Sequence, residues 1–155
     1  MSKFRELGKY IKNCGMRISM HPDQFVLINS PKKNVVKNSI RELEWQADVL
    51  DLMEMPLTAK IQIHAGGVYG DKKSAASRFI ERYRELPKKI RARLVIENDE
   101  RLYSLRDCLN ISEKIRLPVI FDSFHHSVLN NGESMYDSIK TAARTWSEKD
   151  GILMT

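Results

Sequence analysis

The chain has 155 residues, 42% of them hydrophobic, with a formal net charge of +6 and a pI near 9.4. That is enough for one domain with a real core, and it excludes a disordered or low-complexity chain. With no apolar run long enough to span a bilayer and no signal-peptide pattern at the N-terminus, the expectation is a cytoplasmic protein without a membrane partner.

Taken in order, the chain repeats one unit. Residues 3–13 carry Phe4, Leu7, Tyr10 and Ile11 on one face and stop at Gly15, which predicts a helix. MRISMHPDQF reads as a short strand ending at His21 and broken by Pro22. Ile40, Leu43, Ala47, Leu50 and Met53 predict a helix over 38–53. KIQIHAGGVYG gives a strand to Ile63, with His64 at its end and a glycine-rich loop beyond. Ala76, Phe79, Ile80 and Tyr83 form the buried stripe of a helix over 73–86. Two short apolar runs, 94–96 and 118–121, read as buried strands flanking a helix that carries Leu102, Leu105, Leu109 and Ile115. A helix over 135–146 and a last strand in ILMT, residues 152–155, complete about five β/α units.

Strict alternation argues for a parallel sheet, doubly wound or closed as a barrel. The placement of polar residues decides between them. All four histidines (His21, His64, His125 and His126) sit just past strand ends, and Glu97 and Asp122 occupy the same level. Strand ends converge on one mouth in a barrel, whereas in a doubly wound sheet they spread along a line. No GxGxxG follows the first strand and no GxxxxGK[ST] occurs, which removes the usual nucleotide readings. The expected fold is therefore α/β, a TIM-type (β/α) barrel, as one domain over residues 1–155.

Carboxylates and imidazoles gathered at strand ends are the donors a first-row divalent metal needs. The candidate ligands are His21, His64, Glu97, Asp122 and His125, with His126 the bystander of its pair. Such a set suits Mn²⁺ or Zn²⁺. Cys14 and Cys108 lie far apart, in no metal or redox spacing, and read as ordinary thiols.

SMHPDQF, IQIHAGGVYGDK, LVIEND and FDSFHH together resemble the successive strand-end motifs of the UV damage endonucleases, relatives of the endonuclease IV barrel. The resemblance implies a DNA repair enzyme with a cluster of divalent metals, Mn²⁺ first and Zn²⁺ or Mg²⁺ as alternatives. Such an enzyme hydrolyses the backbone of double-stranded DNA 5′ to UV photoproducts, and in a prokaryote it would be associated with the nucleoid. Carried over by motif, the ligands are the same five residues, with Glu97 in a bridging position. Catalysis then falls to Glu97, His64, Asp122 and His125.

HPDQF also resembles the family loop that probes the lesion; Gln24 matches it, and Phe25 stands where the family has tyrosine. Lys32, Lys33, Lys37, Lys72 and Lys73 are expected in loops at the mouth, where they would track phosphates. The denser run RYRELPKKIRAR falls at the opposite end and reads as a solvated surface. A closed barrel has more units than this chain provides. The chain is accordingly expected to be the central portion of one, truncated at both ends. Open sheet edges should then drive self-association, with the apolar residues of LVI and VIF exposed and incision lost in isolation. The alternatives are a metal-dependent sugar isomerase or epimerase of similar fold, and a catalytically inactive DNA-binding fragment.

Overall fold

Every connection between the short strands is long enough to return the chain to the same end of the sheet, so the strands pair in parallel. A computed structural model describes residues 2–154. Ser19–Met20 (β1), Lys60–His64 (β2), Leu94–Glu97 (β3) and Val119–Ile120 (β4) form one parallel sheet in the order β1-β2-β3-β4. β3 is buried along its whole length, as a central parallel strand should be.

Helices alternate with these strands: Lys3–Asn13 (α1), Lys33–Leu52 (α2), Lys72–Glu85 (α3), Lys88–Arg91 (α4), Leu105–Ile115 (α5), Ser123–Val128 (α6) and Met135–Ala143 (α7). Side-chain caps start most of them. Ser2, Asp71, Ser104, Asp122 and Ser134 each accept a backbone N–H of the first turn. α2 packs on β2, α5 on β3 and β4, and α7 on β4, with α3 beside α5. Leu43, Leu50, Ile61, Phe79, Leu94, Ile96 and Phe121 lie in the core between these layers. The result is an open section of a β/α barrel.

Several expectations need correction. The sheet has four strands among the described residues, not five. Residues 152–154 make no strand, and Thr155 lies outside the described residues. Met154 contributes one carbonyl to the Phe121 N–H at 3.3 Å, and a single bond is not a ladder. α2 starts at Lys33, five residues earlier than the apolar stripe suggests, so Lys33 and Lys37 are helical rather than in a mouth loop. The short α4 and α6 carry too few apolar positions to show a period. LVI and VIF are not exposed either: Leu94, Ile96, Val119 and Phe121 belong to the core, and Val95 and Ile120 are also buried.

At the end of the sheet where the strands begin, two cations are buried. Arg93 donates to the carbonyls of Met55, Pro56 and Ala59 and to Asp51. Lys60, 1% exposed, donates to Asp150 Oδ1 at 2.8 Å and to the Ala92 carbonyl at 3.2 Å. A buried charge stripped of its partner is expensive. Asp150→Ala should therefore cost on the order of 3 kcal/mol in urea unfolding. An unfolding midpoint equal to that of the parent chain would show that Lys60 does not depend on Asp150.

Candidate metal centre

The β2–β3 register sets His64 directly beside Glu97. Both are the last residues of their strands, so their side chains emerge at the same height. His21 follows β1 immediately, and Asp122 and His125 follow β4 across one turn of α6. All five residues named from sequence thus meet at one mouth. Glu97, 4% exposed, is the centre of the group. Its Oε2 is 3.1 Å from His21 Nε2, 3.7 Å from His64 Nε2 and 3.5 Å from Gln62 Nε2. The His21 and His64 rings lie 5.3 Å apart, and His64 and His125 5.6 Å apart.

Backbone carbonyls orient two of the imidazoles. His21 Nδ1 bonds the Pro22 carbonyl and His125 Nδ1 the Asn98 carbonyl, each at 2.8 Å. In both rings Nε2 is left to face the centre. Asn98 is fully buried and ties the ends of β3 and β4 together. Its Nδ2 donates to the Asp122 carbonyl, and its Oδ1 accepts the Asp122 N–H. Asp122 Oδ1 in turn accepts the His125 N–H at 2.7 Å. Beneath Glu97, the buried Cys108 thiol donates to the Glu97 carbonyl, and its burial pushes its pKa up; it is structural. His126 is buried too, between Ser138, the Glu133 carbonyl and the edge of Phe121, away from the centre.

Two sets of donors can each converge on a cation: His21, His64 and Glu97, and Glu97, Asp122 and His125. Glu97 belongs to both. The residues fit such an ion on a further observation, since His64 Nδ1 is buried without a hydrogen-bond partner while Nε2 of the same ring stands 3.7 Å from the buried Glu97 carboxylate.

Gln24 and Phe25, the residues expected to probe the lesion, line the same mouth. His21, Gln24, Phe25, His64, Glu100 and Leu102 border one cavity of about 490 Å³. Phe25 is 72% exposed, which rules out a core role. The lysines divide. Lys32 and Lys33 are exposed at the start of α2. Lys72 is not a free loop cation: it opens α3, pairs with Asp107 and lies 5.2 Å from the Tyr103 ring centre.

Sequence reasoning missed the residues that hold the loops. Asn29, fully buried, donates to the Gly67 carbonyl, and Arg78 donates to the Asn29 carbonyl. Gly66, at φ +95°, leaves room for Asn29; a Cβ there would stand 2.4 Å from Asn29 Oδ1. Tyr103 is buried beside the same loop, and burial pushes its pKa up to about 12. Only the glycine pair signalled any of this.

The comparisons with known proteins bear on this mouth. The model of the family described as UV-endonuclease UvdE matches residues 1–153. The chain belongs to the UvdE family. It is 42% identical over 151 residues to a UV DNA damage endonuclease of Clostridium perfringens, covering 96% of this chain and 37% of that one. A UV DNA damage endonuclease of Bacillus pumilus is 36% identical over 147 residues, 94% of this chain and 46% of the relative. The crystal structure of SacUVDE superposes with a TM-score of 0.89 at 49% identity, over 93% of this chain and 49% of that one. The chain thus spans less than half the length of these UvdE-type relatives. D-psicose 3-epimerase of Clostridium cellulolyticum H10, at 18% identity and a TM-score of 0.72 over 94% of this chain and 55% of that one, shares the fold alone.

The hydrogen bond to Glu97 raises the His21 pKa, burial opposes it, and the Pro22 carbonyl adds to the rise. A raised folded-state value means the pair stabilises the metal-free chain fully below the ordinary histidine range, about 6.5. That contribution disappears as pH rises through the higher folded value. In NMR titration of the metal-free chain, His21 should titrate above the ordinary histidine value of about 6.5. Added Mn²⁺ should suppress the His21 titration, because ion and proton compete for the same nitrogen. An unshifted His21 titration without metal would remove the Glu97 contact.

Proposed function

We propose that residues 1–155 are the central portion of a DNA repair endonuclease that cuts the backbone 5′ to UV photoproducts with divalent metal. The carrying observation is Glu97: a buried carboxylate shared by two histidine–carboxylate sets, at the mouth of a UvdE-family barrel section. His21 and His64 with Glu97 would hold one ion, and Asp122 and His125 with Glu97 the other. Bound there, Mn²⁺ (or Zn²⁺ or Mg²⁺) supplies an acidified water and positive charge beside the scissile phosphate.

The chain's own residues supply position. Asn98 fixes the Asp122–His125 arm against β3, and the Pro22 and Asn98 carbonyls select which nitrogen of each ring faces the centre. Phe25 and Gln24 project at the cavity mouth, where a phenyl ring can stack on or wedge between bases. Lys32 and Lys33 offer charge to the phosphates, while Lys72, committed to Asp107, offers little. Acting on DNA, the protein would work in the cytoplasm, at the nucleoid in a prokaryote. Among the described residues β1 and β4 are the edges of the sheet, which favours self-association of this chain and weak incision by it alone.

Glu97→Gln should remove most bound Mn²⁺, measured by elemental analysis after desalting. Unchanged metal content would refute a shared centre. Fluorescence anisotropy on irradiated and intact duplexes tests the probe residues. Phe25→Ala and Gln24→Ala should each reduce the preference for irradiated duplex about tenfold, within the ~1–3 kcal/mol that stacking contributes. Metal content should hold. Unaltered preference in both variants would exclude the loop from recognition.

A further inference from the structure

We propose that Glu100 is a further metal-facing carboxylate, which completes the Glu97–Asp122–His125 side of the centre. The inference rests on the metal reading above and extends it to a residue outside both donor sets.

His125 donates Nδ1–H to the Asn98 carbonyl, so in the neutral ring Nε2 carries a lone pair. That nitrogen faces Glu100 Oε2 at 3.5 Å. Two acceptors pointed at each other repel unless a proton or a cation lies between them. The arrangement repeats one already at the centre: His21 commits Nδ1 to the Pro22 carbonyl and turns Nε2 to Glu97. Glu100 therefore stands to His125 as Glu97 stands to His21.

Glu100 is also held in place. Asp99 accepts the backbone N–H groups of Arg101, Leu102 and Tyr103, and its own N–H bonds the Tyr103 carbonyl at 2.9 Å. The loop is a closed turn anchored by a fully buried tyrosine, and the Glu100 carboxylate borders the same cavity as His21 and His64. Charge favours the assignment. Two dications would carry four positive charges against the carboxylates of Glu97 and Asp122. A third carboxylate reduces the excess that drives the ions apart, with its Oε2 turned to His125 while Oε1 pairs with Arg101 at 3.1 Å.

The test is Mn²⁺ titration of the 155-residue chain, with free Mn²⁺ followed by electron paramagnetic resonance and folding checked by circular dichroism. The parent chain should bind two ions. Glu100→Gln and Glu100→Ala should weaken one ion at least tenfold and spare the other, whereas Glu97→Gln weakens both. If the Glu100 variants titrate like the parent while Glu97→Gln does not, Glu100 is no ligand and the metal reading survives. Equal weakening of both ions by Glu100→Gln would mean a diffuse charge effect and overturn the proposal. If the parent binds no Mn²⁺, the metal reading fails and this one with it.

Discussion

A carboxylate buried at the end of a central strand is the constraint around which this mouth is built. Glu97 closes β3, where register leaves no freedom to turn toward solvent without breaking the ladder to β2 and β4. A charge so placed must be compensated. An imidazole from the loop after β1, and an imidazole and an amide from β2, supply part of that compensation. The burial of Glu97 thus dictates which residues its neighbouring strands carry at the same height.

Much of this was legible in the sequence because it depends on local rules. Apolar runs of strand length, each followed by a histidine or carboxylate, fix both the fold class and the five residues at the mouth. What stayed hidden depends on contacts between distant segments. Asn29, Asn98 and Tyr103 are buried by tertiary packing, and nothing near them in sequence marks an asparagine as a bridge between loops. Glu100 looks like any loop acid until His125 is seen across from it. The lysines misled for the opposite reason. Charge can be counted along a chain, but whether Lys72 meets Asp107 or solvent is decided by how α3 packs on α5.

The loops at the mouth are braced by side chains that never reach the cavity's ionisable groups. Asn29 joins the segment after β1 to the glycine loop after β2, and Tyr103 packs against that loop from the segment after β3. Such buried contacts between loops hold them against one another. The positions of His21, His64 and Glu97 therefore depend on residues that a search for catalytic chemistry would pass over.

Asp122 has two tasks at once. One carboxylate oxygen caps α6 by accepting the His125 N–H, while the other points toward the same ring's Nδ1 at 3.9 Å. The cap and the proposed ligand are one side chain, and the helix it starts delivers His125. Removing an ion would leave the helix intact, but removing the carboxylate would unseat its neighbour as well. An evolutionary route that discards metal at this position without disturbing the fold thus runs through asparagine, which keeps the capping oxygen and gives up the charge.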